Sequence, residues 1–107
     1  MTYFKRSGEP YPKGHFGVLE WARDFEDQKM RVVAQEELKN GRWVSTVWLG
    51  LDHSFGAGKP MIFETTVFPK TGVYGDIDMA RYATQREALQ GHKKMVKKHE
   101  QESKNTG

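Results

Sequence analysis

Among the acidic residues and histidines of this 107-residue sequence, four stand where they could move protons or ligate a divalent metal: Asp52, His53, Glu64 and His92. Imidazole beside carboxylate suits general acid–base work or a metal site. Asp52-His53 closes a β-rich run, where side chains are held firmly yet reach solvent. Glu64 interrupts a second such run, and His92 falls on the apolar stripe of a helix. If that helix crosses the sheet, His53, Glu64 and His92 converge. No HExxH or comparable ligand spacing accompanies them, however. Asp52 can equally accept loop N–H groups, and a histidine on an apolar helix face is ordinarily a hydrogen-bonded core group. The structural role is the preferred expectation. No catalytic residue, metal or cofactor is assigned.

Other patterns are weighed in the same way. Gly56-Ala-Gly-Lys59 invites comparison with a phosphate loop, but that motif needs a Gly separated by four residues from Gly-Lys and a Ser or Thr after it. His53 and Pro60 stand there instead, so a turn is expected. Asp76-Ile-Asp78 reads as a solvated loop. Arg86, Lys93, Lys94, Lys97 and Lys98 could follow phosphates along a helix, yet Glu87, Glu100 and Glu102 dilute the patch. Runs of charge are usually solvated faces. Val33 and Trp48 form a partner surface if exposed and a second small core if the N-terminal segment covers them.

The elements that must position these residues follow from period and punctuation. Met30–Leu38 and Trp43–Leu51 flank Asn40-Gly41, the strongest short hairpin signal. Taken as a two-residue turn, it pairs Leu38 with Trp43, Ala34 with Val47, Val32 with Leu49 and Met30 with Leu51, all on one apolar face. Met61–Phe68 is a third strand, ended by Pro69, and 69–80 reads as a connection. Thr84-Gln-Arg-Glu87 is a capping box opening a helix. Its stripe is Ala88, Leu89, His92, Met95, Val96 and His99. Val18–Glu26 suits a short helix with Val18, Trp21, Ala22 and Phe25 on one side, although Leu19, Trp21 and Phe25 also allow a strand.

Composition bounds the rest. With 36% hydrophobic and 29% charged residues the chain is one small domain. Three Trp, four Tyr and six Phe supply a core that the mean hydropathy of −0.79 would not suggest. No apolar run reaches the roughly 20 residues of a membrane span, and there is no signal-peptide core. The absence of Cys excludes disulfides and thiolate metal sites and fits a cytoplasmic location. The formal charge of +3 permits nucleic-acid binding without requiring it.

Two stretches, Val44-Ser-Thr-Val-Trp-Leu-Gly-Leu-Asp-His-Ser-Phe-Gly56 with Ile62-Phe-Glu-Thr-Thr-Val-Phe68, and Arg81-Tyr-Ala-Thr-Gln-Arg-Glu-Ala-Leu-Gln-Gly-His92, resemble a family of small uncharacterised bacteriophage and prophage proteins. Trp21–Asp27 is similar to their N-terminal segment, while Thr66 stands where the family more often has Met. The resemblance implies a protein made inside an infected host cell, and it assigns no activity or cofactor. The expectation is a single α+β domain over residues 1–99. It has a three- to four-stranded antiparallel sheet, a C-terminal helix on one face and a short N-terminal helix, followed by a polar tail, 100–107, expected to be disordered. Its expected role is non-catalytic binding of a macromolecule, a host protein in preference to nucleic acid. A metal- or histidine-dependent enzyme is the third alternative.

Overall fold

A computed structural model of the chain describes residues 2–52, 58–70 and 75–106, the last six by their backbone alone. Two strands, β1 (Val32–Glu37) and β2 (Trp43–Trp48), form the expected hairpin, but its loop has three residues rather than two. The Leu38 carbonyl accepts the Gly41 N–H at 2.9 Å, and the Leu38 N–H reaches the Arg42 carbonyl at 2.7 Å. Gly41 has φ of 88°. This is a tight turn closed by a left-handed residue that forms a bulge, the commonest three-residue hairpin. Asn-Gly serves both loop types, because each needs a residue at positive φ, and the two differ in register by one.

The register is accordingly Glu37↔Trp43, Gln35↔Ser45 and Ala34↔Thr46, with an irregularity at Val33 before Val32↔Val47. Period-two alternation then exchanges the faces. Val44, Thr46 and Trp48, which the two-residue turn would place opposite the apolar face, are fully buried, whereas Trp43 is exposed. The surface expected at Val33 and Trp48 is therefore covered. Trp48 donates its indole N–H to the Phe4 carbonyl at 3.0 Å and lies in a cluster with Tyr11, Ile62, Phe63 and Ala88. Phe25, Trp21, Tyr3 and a half-buried Val33 pack around that cluster. Truncating Trp48 to Ala would cost about 3–5 kcal/mol.

The remaining strands are β3 (Phe63–Phe68) and β4 (Asp78–Tyr82), giving a four-stranded antiparallel sheet in the order β1-β2-β3-β4. Residues 78–80, expected within a connection, belong to β4. Its sheet-to-helix positions, Asp78, Ala80 and Tyr82, carry no alternating apolar signal, so sequence patterning misses it. Two helices precede the sheet, α1 (His15–Glu26) and α2 (Gln28–Arg31). Trp21, Ala22 and Phe25 of α1 are half-buried as expected, but Val18 is exposed. Arg6 gathers the N-terminal end, bonding the carbonyls of Lys29 and Met30 and the side chain of Gln85.

The C-terminal helix, α3 (Gln85–Thr106), lies across all four strands on the face that the N-terminal elements also cover. Thr84 caps it, accepting the Glu87 N–H at 3.1 Å and donating its hydroxyl proton to the Glu87 carboxylate at 3.2 Å. The helical backbone runs on to Thr106, past Glu100 where the tail was expected to begin. Ala88, His92, Met95 and His99 face the sheet, while Leu89, expected on that stripe, is 39% exposed. A second core cluster joins Met95 to Leu38, Val44 and Val67.

Gly91 sits in α3 because of Tyr82. A Cβ at position 91 would fall 2.2 Å from the Tyr82 ring. Gly→Ala inside a helix ordinarily stabilises by about 1 kcal/mol; here the sign reverses. Gly91→Ala is expected to lower stability in urea unfolding by about 1–3 kcal/mol, an overpacking cost. In a Tyr82→Ala background the same change should stabilise.

Candidate functional site

Two histidines one heptad apart on α3, His92 and His99, are each only 3% exposed. A buried imidazole must find partners for both ring nitrogens. His92 Nδ1 lies 2.7 Å from Thr46 Oγ1, which lies 2.6 Å from Thr65 Oγ1, and His92 Nε2 is 3.0 Å from Glu36 Oε1. The carboxylate can only accept, so the ring carries its proton on Nε2. Nδ1 then accepts the Thr46 hydroxyl, and Thr46 in turn accepts that of Thr65. Both hydroxyl protons and both ring nitrogens in this column are used. It exists because the three-residue loop puts Thr46 on the same face as Glu36.

The order hydroxyl, imidazole, carboxylate is that of a nucleophilic triad. Access decides against that chemistry: Thr46 and Thr65 are both fully buried, so no substrate atom approaches either oxygen. The side open to water is Glu36, whose side chain is 53% exposed. The column is architecture that fixes α3 against β1, β2 and β3.

His99 does similar work at the hairpin end. Arg42 Nη1 is 2.8 Å from His99 Nδ1, and a guanidinium only donates, so Nδ1 accepts and Nε2–H donates to Asp78 Oδ2 at 2.9 Å. Asn40 completes the docking by donating to the His99 carbonyl while its own carbonyl oxygen accepts the Arg42 N–H. Lys98 Nζ meets the same Asp78 oxygen at 2.8 Å. Hydrogen bonds from Lys98 first, and then from His99, hold the Asp78 carboxyl at about 2, below its usual 3.8. In the N-terminal cluster Tyr11 donates to Asp24 at 2.6 Å; burial, and then that carboxylate, push its hydroxyl above the usual tyrosine range.

Among the described residues, the sequence-derived candidates Asp52, Glu64 and His92 do not come together. Asp52 Oδ1 accepts the Met61 N–H at 3.0 Å and braces its loop. Glu64 points away from α3, bonding Arg81 Nε at 3.1 Å and the Thr66 hydroxyl. His92 is on the other side of the sheet, and His53, with Gly56 and Ala57 of the Gly56–Lys59 segment, lies outside the described residues. Among the described residues no group of three or more His, Asp or Glu is placed to hold a metal ion. Asp78, read as part of a solvated loop, instead anchors β4 to α3. Glu36, Thr46, Thr65 and Arg42 escaped sequence reasoning. The available signal was the pair of histidines on one apolar stripe, each needing a polar partner from the sheet.

The opposite face of the sheet has no described helix over it. Trp43 and Phe68, paired across β2 and β3, are 36% and 41% exposed, and Met79 on β4 is 43% exposed. Two polar pairs on this face are matched internally, Glu64 with Arg81 and Gln35 with Ser45 at 3.1 Å, while the exposed Glu37 stands opposite Trp43. On α3, Arg86, Lys93 and Lys97 follow one solvent-facing line at i, i+7 and i+11, with Lys94 on its flank. Lys98 is turned to Asp78. No protein-family model matches the chain, and neither does any curated protein or solved structure. No helix among the described residues is long and apolar enough to cross a membrane.

Two outcomes follow for stability. Thr46→Val, nearly isosteric, strands both His92 Nδ1 and the Thr65 hydroxyl and should cost about 1–3 kcal/mol in urea unfolding; Glu36→Gln, on the wet side, should cost under about 1 kcal/mol. The depressed Asp78 carboxyl contributes stability that is present above its ordinary range near 3.8 and lost as pH falls through about 2. With solvent screening of Lys98 the loss is about 1–2 kcal/mol. Asp78→Asn should flatten the unfolding profile over that acid window, and an unchanged acid profile would contradict the assignment.

Proposed function

We propose that the chain is a small, non-catalytic accessory protein of bacteriophage type that binds a host protein through the uncovered face of its sheet. The observation that carries this reading is the exposed Trp43–Phe68 pair with Met79 beside it. Burying large side chains on one face while leaving an aromatic pair on the other costs solubility unless something covers it. Trp is also the residue most enriched at binding hot spots. Charge favours protein over nucleic acid here, because the face's Arg81 is already matched by Glu64. The partner surface should be apolar at its centre. A four-stranded face of short strands is small by the standard of stable complexes, so a transient interaction fits it. The phage character rests on the resemblance of Val44–Gly56, Ile62–Phe68 and Arg81–His92.

A photo-crosslinking amino acid at position 68 tests this in a bacterial lysate. A discrete adduct is expected, competed by excess unlabelled chain and not by Trp43→Glu chain. The same crosslinker at position 93 on α3 should give none. Equal yields at both positions would refute the reading.

A second reading is favoured by the alignment of Arg86, Lys93 and Lys97 along α3, which suits a phosphate backbone. It takes nucleic acid without base specificity. Anisotropy with a labelled single-stranded oligonucleotide should then show affinity falling at least tenfold between about 50 and 200 mM salt, with a shallower slope in Lys93→Glu/Lys97→Glu. Absent or salt-independent binding would remove it.

A further inference from the structure

The geometry points to a peptide-binding groove between the outer edge of β4 and α3, which takes an extended segment of a partner protein as a fifth, antiparallel strand. This surface is separate from the sheet face considered above.

The two sheet edges are treated differently. The outer strand β1 is interrupted at Val33 and exposes Glu36 and Glu37, devices that discourage strand addition. The other outer strand, β4, is uninterrupted, and both of its charges are tied internally, Asp78 to Lys98 and His99 and Arg81 to Glu64. Its register with β3 is unbroken over five pairs, from Val67↔Asp78 to Phe63↔Tyr82, and it contains no proline. Among the described residues no strand pairs with its far side. An unpaired strand edge offers a row of backbone donors and acceptors to an incoming chain.

Beside that edge lies a groove of about 370 Å³ whose floor includes Ala80, Tyr82 and Met95. The small Ala80 leaves room for a branched apolar side chain, as strand addition requires at alternate positions. The ends differ in charge. Glu87 stands at the end near Tyr82, whereas Lys94 and Lys98 stand at the end near Asp78. Lys98 and His99 already meet the Asp78 carboxylate, while Lys94 is exposed with no partner among the described residues. Since β4 runs from Asp78 to Tyr82, an antiparallel segment enters at Glu87 and leaves at Lys94. Charge complementarity thus selects a peptide with a cation at its start, alternating apolar residues, and an acidic C-terminal end.

The test is a titration of the ¹⁵N-labelled full chain with the acetylated octapeptide Lys-Thr-Val-Thr-Val-Thr-Asp-Glu. Saturable shifts and slowed exchange are expected for amides of β4, with little change at Trp43 or Phe68. Lys94→Glu should weaken binding threefold or more, and a peptide ending in Lys-Lys should bind that variant better than the original chain. Three results would overturn the proposal: no saturable β4 shift at millimolar peptide, binding indifferent to Lys94, or shifts centred on Trp43 and Phe68. The last would place the peptide on the open sheet face instead, so failure of the groove is distinguishable from failure of that surface.

Discussion

The hydrogen-bonded column Thr65–Thr46–His92–Glu36 ties three strands to α3, and its existence depends on one residue of loop length. With two residues between β1 and β2, Thr46 and Trp48 would lie on the opposite face from the one they occupy. With three, Thr46 meets His92 at 2.7 Å, and Trp48 enters the aromatic cluster beneath the N-terminal segment. The column is valuable less for its net energy than for its intolerance of alternatives. A buried imidazole displaced by one register would have unsatisfied nitrogens, a penalty larger than the gain from making the bonds. The polar interior thus specifies which face of the ribbon is core.

That choice distributes the molecule's chemistry. The inward face spends its polar groups on structure, which is why two histidines, two threonines and an aspartate yield no accessible nucleophile or metal site among the described residues. The outward face is left with Trp43, Phe68 and Met79, and the solvent side of α3 with its cations. The two sheet edges also differ, one bulged and acidic, the other regular beside a groove.

Local signals carried much of the fold. The Thr84 cap and the Ala88–His92–Met95–His99 stripe were legible because both depend on residues within a few positions of each other. The hairpin was legible as a hairpin but not in its register, because Asn40-Gly41 is compatible with two loops and the deciding contact, Asn40 to the His99 carbonyl, spans 59 residues. β4 was illegible for a similar reason. Asp78 faces inward only because Lys98 and His99, distant in sequence, neutralise it there. Of the convergence expected for His53, Glu64 and His92, the meeting of Glu64 with His92 failed on parity: Glu64 neighbours Thr65, and adjacent strand residues point to opposite faces. Trp48 and Trp43 exchanged roles by the same rule.

The register itself is open to direct measurement. In an antiparallel pair, partners between ladder bonds bring their Hα atoms closest, so nuclear Overhauser contacts should link the Hα atoms of Gln35 with Ser45 and of Glu37 with Trp43. Contacts of Glu36 with Ser45 and of Leu38 with Trp43 would instead place Thr46 and Trp48 on the outer face, and would contradict both the buried column and the surfaces derived from it.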